Sequence, residues 1–160
     1  MTAKWHTTTH YAVVDTLASI SNRAGYPCKK EQGLPDNRRP GDLFVSRLDS
    51  DGPGAIDVTI RDPLALSHPC TPSNILTWHE AQEMDKHQKY EVACRRLGWS
   101  FKAFVVDVFG GLGQEARDFL TILLKGLLGQ REGWQRRGLE ATIWQEVSFT
   151  IMIEIGRQLS

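Results

Sequence analysis

The chain has 160 residues, with 19 Lys and Arg against 19 Asp and Glu, so it is formally neutral and any nucleic-acid contact must come from a local patch. An apolar share of 41% and a charged share of 24% are ordinary globular values, which excludes a long disordered tail, a collagen-like fibre and a basic histone-like wrapper. No run nears the roughly 20 apolar residues that span a bilayer, MTAKWHTTTHYAVVD carries no signal-peptide pattern, and three cysteines lack framework spacing, so one reduced, intracellular domain over residues 1–160, nuclear or cytoplasmic, is expected.

Val13, Val14, Leu17, Ile20 and Ala24 recur at helical spacing, predicting a helix over about Thr8 to Ala24 that Gly25 stops. Pro27 keeps the next residues short and extended, and Gly33 to Gly41 is dense in turn formers. Two strands follow, Asp42 to Leu48 and Ala55 to Arg61, joined by the turn Asp49-Ser-Asp-Gly-Pro-Gly54. Asp62 to Thr77 reads as loop. Trp78 to Leu97 is a highly charged helix ended by Gly98, and Trp99 to Val108 a strand whose run Val105-Val-Asp-Val-Phe109 has the composition of a central strand. Gly110-Gly-Leu-Gly113 opens a helix over Gln114 to Leu128, and a last helix covers about Trp134 to Gln158. The order is α-β-β-α-β-α-α, an α/β fold with a small mixed sheet flanked by helices.

Strand alternation makes the hairpin informative. Ile56, Val58 and Ile60 take one face, so Asp57 and Thr59 share the other; in the first strand Leu43 and Val45 point one way and Asp42 the opposite way. Asp42 and Asp57 then fall on one side of adjacent strands. Asp57 is flanked by aliphatics where strand propensity disfavours it, and a carboxylate buried there needs a metal or a cation. Lys86 and Lys89, at i and i+3 of the following helix with Tyr90 beside them, supply the cations. Paired carboxylates with a lysine suit metal-assisted phosphodiester hydrolysis: Mg²⁺ takes oxygen ligands, and the lysine offsets charge building on the phosphate.

Arg39-Pro-Gly-Asp42, then 14 residues, then Asp57-Val-Thr59, then Lys86 and Lys89-Tyr90, resembles the PD-(D/E)XK superfamily of restriction-like nucleases. More narrowly, it resembles the restriction-like endonuclease domain attached to reverse transcriptases of site-specific non-LTR retrotransposons. Glu31-Gln-Gly33 and Phe109-Gly-Gly-Leu-Gly113 also look like that group, and the resemblance covers roughly Thr8 to Ala116. It implies a restriction-endonuclease-like core and an Mg²⁺- or Mn²⁺-dependent DNA endonuclease, with Asp42 and Asp57 as metal ligands. Lys89 or Lys86 would replace the lysine of the usual second motif, where this chain has Thr59, and Glu31 would match the acidic residue contributed near the first helix. Gly41, between the motif proline and Asp42, is a further departure. If neither lysine reaches the carboxylates, the alternative is a non-catalytic nucleic-acid-binding or assembly module that keeps the fold.

Arg38 and Arg39, next to Asp42, are the basic pair placed best to meet a DNA backbone, with Tyr90 at the site or on the backbone. His68, Cys70, Cys28, Cys94 and His79 match no standard zinc spacing. Gly110 to Gly113 reads as a strand-to-helix turn rather than a phosphate cradle, since no Lys-Ser/Thr follows. Trp144, Val147, Phe149, Ile151, Met152, Ile153 and Ile155 go almost all the way round the last helix, which makes it either central to the core or buried by another subunit; a homodimer through that helix is expected.

Overall fold

Val13, Val14, Leu17 and Ile20 form one buried stripe of α1 (Ala3–Arg23). Gly25, at φ 80°, ends it as expected: its N–H bonds Asn22 O at 3.1 Å, and Tyr26 N–H bonds Ser21 O at 2.9 Å, the bond pair by which a left-handed glycine closes a helix. This structure, a computed structural model, describes residues 3–30, 41–49, 52–65, 74–129 and 133–159.

The remaining elements are β1 (Cys28–Lys30), β2 (Leu43–Asp49), β3 (Gly52–Arg61), α2 (Ile75–Arg96), β4 (Ser100–Asp107), α3 (Gln114–Leu128) and α4 (Gly133–Leu159). The fold is α/β, a four-stranded mixed sheet in the order β1-β2-β3-β4 with four helices around it. β1–β2 and β2–β3 are antiparallel; β3–β4 is parallel, and α2 supplies the crossover such a pair needs. Two details differ from the sequence reading. The segment after Pro27 is a strand, its residues Cys28, Lys29 and Lys30 pairing with Val45, Phe44 and Leu43, so the order becomes α-β-β-β-α-β-α-α. Among the described residues β4 lies at the end of the sheet rather than inside it; it is buried because α2 and α3 cover its two faces.

The two faces of the sheet have different chemistry. Leu43, Val45, Ile56, Val58, Ile60, Phe104 and Val106 join α1, α3 and α4 in a large apolar core, to which Phe119, Leu120, Leu123, Ile143, Val147 and Ile151 contribute fully buried side chains. At roughly 1.5–3 kcal/mol per buried aliphatic or phenyl group, that side carries most of the stability. The other face holds a thin cluster, Ala55, Cys94, Phe101, Ala103 and Val105, beneath α2. Asp57, Thr59 and Asp107 are buried with it. No helix among the described residues is long and apolar enough to cross a membrane.

Candidate active site

Leu43 pairs with Ile56, so Asp42, one residue before β2, falls opposite Asp57. Its backbone N–H bonds Ile56 O at 2.8 Å, and its carboxylate Oδ2 accepts the Val58 N–H at 2.7 Å. The side chain thus takes the place of a strand carbonyl and prolongs the ladder beyond the end of β2. Gly41 makes this possible: a Cβ there would lie 2.7 Å from Ile56 O, so the residue between the proline and Asp42 has to be glycine for the chain to close on β3.

At the end of the sheet Asp42 is reachable from the α1 side, and His10 Nε2 lies 3.1 Å from its Oδ2. The bond to Asp42 outweighs burial and, with the charge of Asp57, holds the His10 ring above its ordinary range. Sequence spacing could not find His10, because only the fold brings α1 to the head of β2.

Asp57 projects towards α2. Its Oδ2 receives the Lys86 ammonium at 2.8 Å and the Thr59 hydroxyl at 3.2 Å. Burial pushes its carboxyl up; Lys86 opposes that, the Asp42 charge adds to it, and the net direction is upward. Thr59, standing where the motif lysine was expected, is therefore a hydrogen-bond donor to the carboxylate. Of the two candidate lysines only Lys86 meets Asp57. Lys89 is exposed, its ammonium 4.9 Å from the Tyr90 ring centroid, and the hydrogen bond with Tyr90 holds it above the usual lysine range. Tyr90 packs its ring 5.8 Å from Phe101. His10, Asp42, Asp57, Arg61 and Lys86 all line one cavity of about 380 Å³. Glu31, Arg38 and Arg39 lie outside the described residues, as do His68 and Cys70.

The rest of the inward face of α2 is also polar. His79 Nε2 lies 3.2 Å from Asp107 Oδ2, and Asp107 Oδ1 accepts the N–H groups of Phe109 and Gly111 at 2.8 and 2.9 Å. Burial pushes the Asp107 carboxyl up, but His79 and those two N–H groups outweigh it and hold it below its ordinary range. Glu83 accepts the Glu115 N–H at 2.9 Å, so a carboxylate already sits at the start of α3. A Cβ on Gly113 would run into that Glu83 carboxylate, and one on Gly111 into Asp107. The glycine-rich segment is thus a turn shaped around two buried acids. Burial pushes the Cys94 thiol up to about 11, which removes it as a nucleophile. Cys28 packs on the opposite side of the sheet from Cys94, so the two cannot share an ion.

Burial, and to a lesser degree the Asp42 charge, makes the ionised Asp57 costly at this cavity, a cost that a divalent cation there would lower. Among the described residues no group of three or more His, Cys, Asp or Glu side chains is assembled to hold a metal. A hard ion placed here would have Asp42 and Asp57 as its protein ligands and would take the rest of its shell from water and phosphate. No family model matches the chain, and comparison with curated proteins finds no match.

Proposed function

We propose that the chain is an Mg²⁺- or Mn²⁺-dependent DNA endonuclease with a restriction-endonuclease-like core, related to the nuclease domains of retroelements. The observation that carries this reading is the Lys86 ammonium 2.8 Å from Asp57 at a cavity that Asp42 also lines. Asp42 and Asp57 would hold the metal, whose chemistry when bound would be to lower the pKa of a water and offset phosphate charge. Lys86, with three donors, reaches from Asp57 towards a phosphate oxygen and stabilises the charge that grows there. His10 keeps the Asp42 carboxylate oriented while Val58 N–H holds its Oδ2. Purified protein incubated with Mn²⁺ and supercoiled, linear, branched or single-stranded DNA tests the reading: cleavage of at least one is expected, abolished by EDTA and by Asp57→Ala in a variant that keeps its circular-dichroism spectrum. Wild-type-like cutting by that variant refutes the assignment.

Thr59 at the motif-lysine position, with Lys86 already engaged by Asp57, favours a second reading: a nucleic-acid-binding or assembly module that keeps the fold without cutting. DNA binding with no cleavage at any Mn²⁺ concentration selects it.

A further inference from the structure

A second cavity, about 290 Å³, opens beside the first and shares His10, Tyr11 and Asp42 with it; Val14 and Lys30 complete its lining. Its walls differ in kind from those of the carboxylate cavity. Val14 is buried and gives the cavity an apolar residue, while Tyr11 is 51% exposed, its ring in a T-shaped contact with His10 at 5.6 Å between centroids. Lys30 stands at the rim, its ammonium held by Asp15. An apolar residue, a half-exposed tyrosine and a lysine at one small cavity, beside the cavity that Lys86 lines, suit a heteroaromatic base joined to a phosphodiester.

We infer that this cavity seats an unpaired nucleobase, stacked on Tyr11, from the nucleotide beside the phosphate that Lys86 meets, so that the substrate is single-stranded DNA at the point of attack. The inference rests on the nuclease reading for that adjacent phosphate. In a duplex each base is already stacked and paired, and entering the cavity requires extruding it at a cost of a few kcal/mol. A single strand has no such cost, and an exposed tyrosine supplies a stacking platform that tolerates any base. The basic side chains divide between the two cavities, Arg61 and Lys86 lining the first and Lys30 the second, with Asp42 common to both.

Fluorescein-labelled dT20, alone or annealed to dA20, is titrated with the full chain in EDTA and followed by anisotropy, so that no cleavage is read. Single-stranded dT20 is expected to bind more tightly than the duplex. Tyr11→Ala is expected to weaken dT20 binding about 5- to 100-fold while Tyr11→Phe, which keeps the ring, binds as wild type. Tyr11 is half exposed, so unchanged thermal unfolding checks that Y11A is folded. Equal dT20 affinity for wild type and Y11A, or tighter binding of the duplex, overturns the inference. Asp57-dependent cutting without any Tyr11 effect removes the nucleobase site and leaves the nuclease. Tyr11-dependent dT20 binding by a protein that cuts nothing keeps the nucleobase site and removes the nuclease.

Discussion

Replacing Lys86 by methionine keeps the aliphatic stem and deletes the charge that faces Asp57. The two side chains are 17% and 10% exposed and 2.8 Å apart, which places the pair near the buried limit. Removing one partner of a buried pair costs about 3–5 kcal/mol and of an exposed pair about 0–1 kcal/mol; this geometry gives roughly 2–3 kcal/mol. For a chain of this size that lowers the melting temperature by about 4–12 °C at pH 7. The cost depends on pH in a fixed sense. The Asp57 carboxyl titrates above its ordinary range in the folded chain, so stability tied to it is complete below about pH 4 and is lost as pH rises through the raised value. Without the ammonium that value moves higher still, so the K86M defect is largest at neutral pH and shrinks towards pH 4, where a protonated Asp57 has no need of a cation. Lys89→Met is the control: an exposed lysine on a tyrosine ring costs about 0.5 kcal/mol, close to 1–2 °C. Thermal unfolding in EDTA at pH 7 and pH 4.5 reads both variants, and DNA cleavage in Mn²⁺ is lost in K86M and kept in K89M. A K86M protein that melts within 1 °C of wild type at pH 7, or whose defect grows on acidification, refutes the reasoning.

The His10–Asp42 contact gives a second pH signature. The His10 ring titrates above about 6.5 when folded, so its stabilisation is complete below that pH and is lost as pH rises through the raised value. In EDTA, the difference in urea midpoint between wild type and His10→Asn should therefore shrink from pH 6 to pH 9; a difference that stays constant sinks the assignment of His10 to Asp42. On α4, Ile143, Val147 and Ile151 are buried, whereas Phe149, Met152 and Ile153 are 53%, 55% and 52% exposed. The homodimer expected from the sequence would use this outer stripe; its expected outcome is a dimer at high micromolar concentration that becomes a monomer after Phe149→Glu. Monomeric wild type at that concentration rejects it.

Much of the framework was legible because apolar periodicity fixes which side chains face the core. Ile56, Val58 and Ile60 against Asp57 and Thr59 gave the two faces of β3, Gly25 gave the end of α1, and the Gln114 to Leu128 helix has the expected bounds. β1 was not legible as a strand, because three residues carry no alternation and its identity lies in pairing with Leu43 to Val45. The inward face of α2 was hidden for the opposite reason: charged residues normally face solvent, yet His79, Glu83 and Lys86 turn towards the sheet, where Asp107, the start of α3 and Asp57 receive them. Lys86 and Lys89 sit only about 60° apart around the helix, so spacing could not separate them. The direction of Asp57 on β3 does.

The place where the carboxylates meet follows from this division of the sheet. Across most of its area the sheet separates an apolar side, which supplies the stability, from a polar side, whose buried acids would be costly without partners. Groups from α1 and α2 can approach one another only where that partition stops, at the strand ends. Asp42 stands at such an end, prolonging the ladder through Val58 N–H after the β2 backbone has left it. It is therefore accessible to His10 from one side of the sheet, while Asp57, opposite it, is accessible to Lys86 from the other. The cavity lined by both carboxylates and Lys86 lies at that position, where the proposed phosphodiester substrate would reach them without disturbing either layer. Most of the stability lies in the α1, α3 and α4 core, so on the proposed nuclease reading Asp57→Ala gives up the Lys86 pair and the cutting while that core keeps the chain folded.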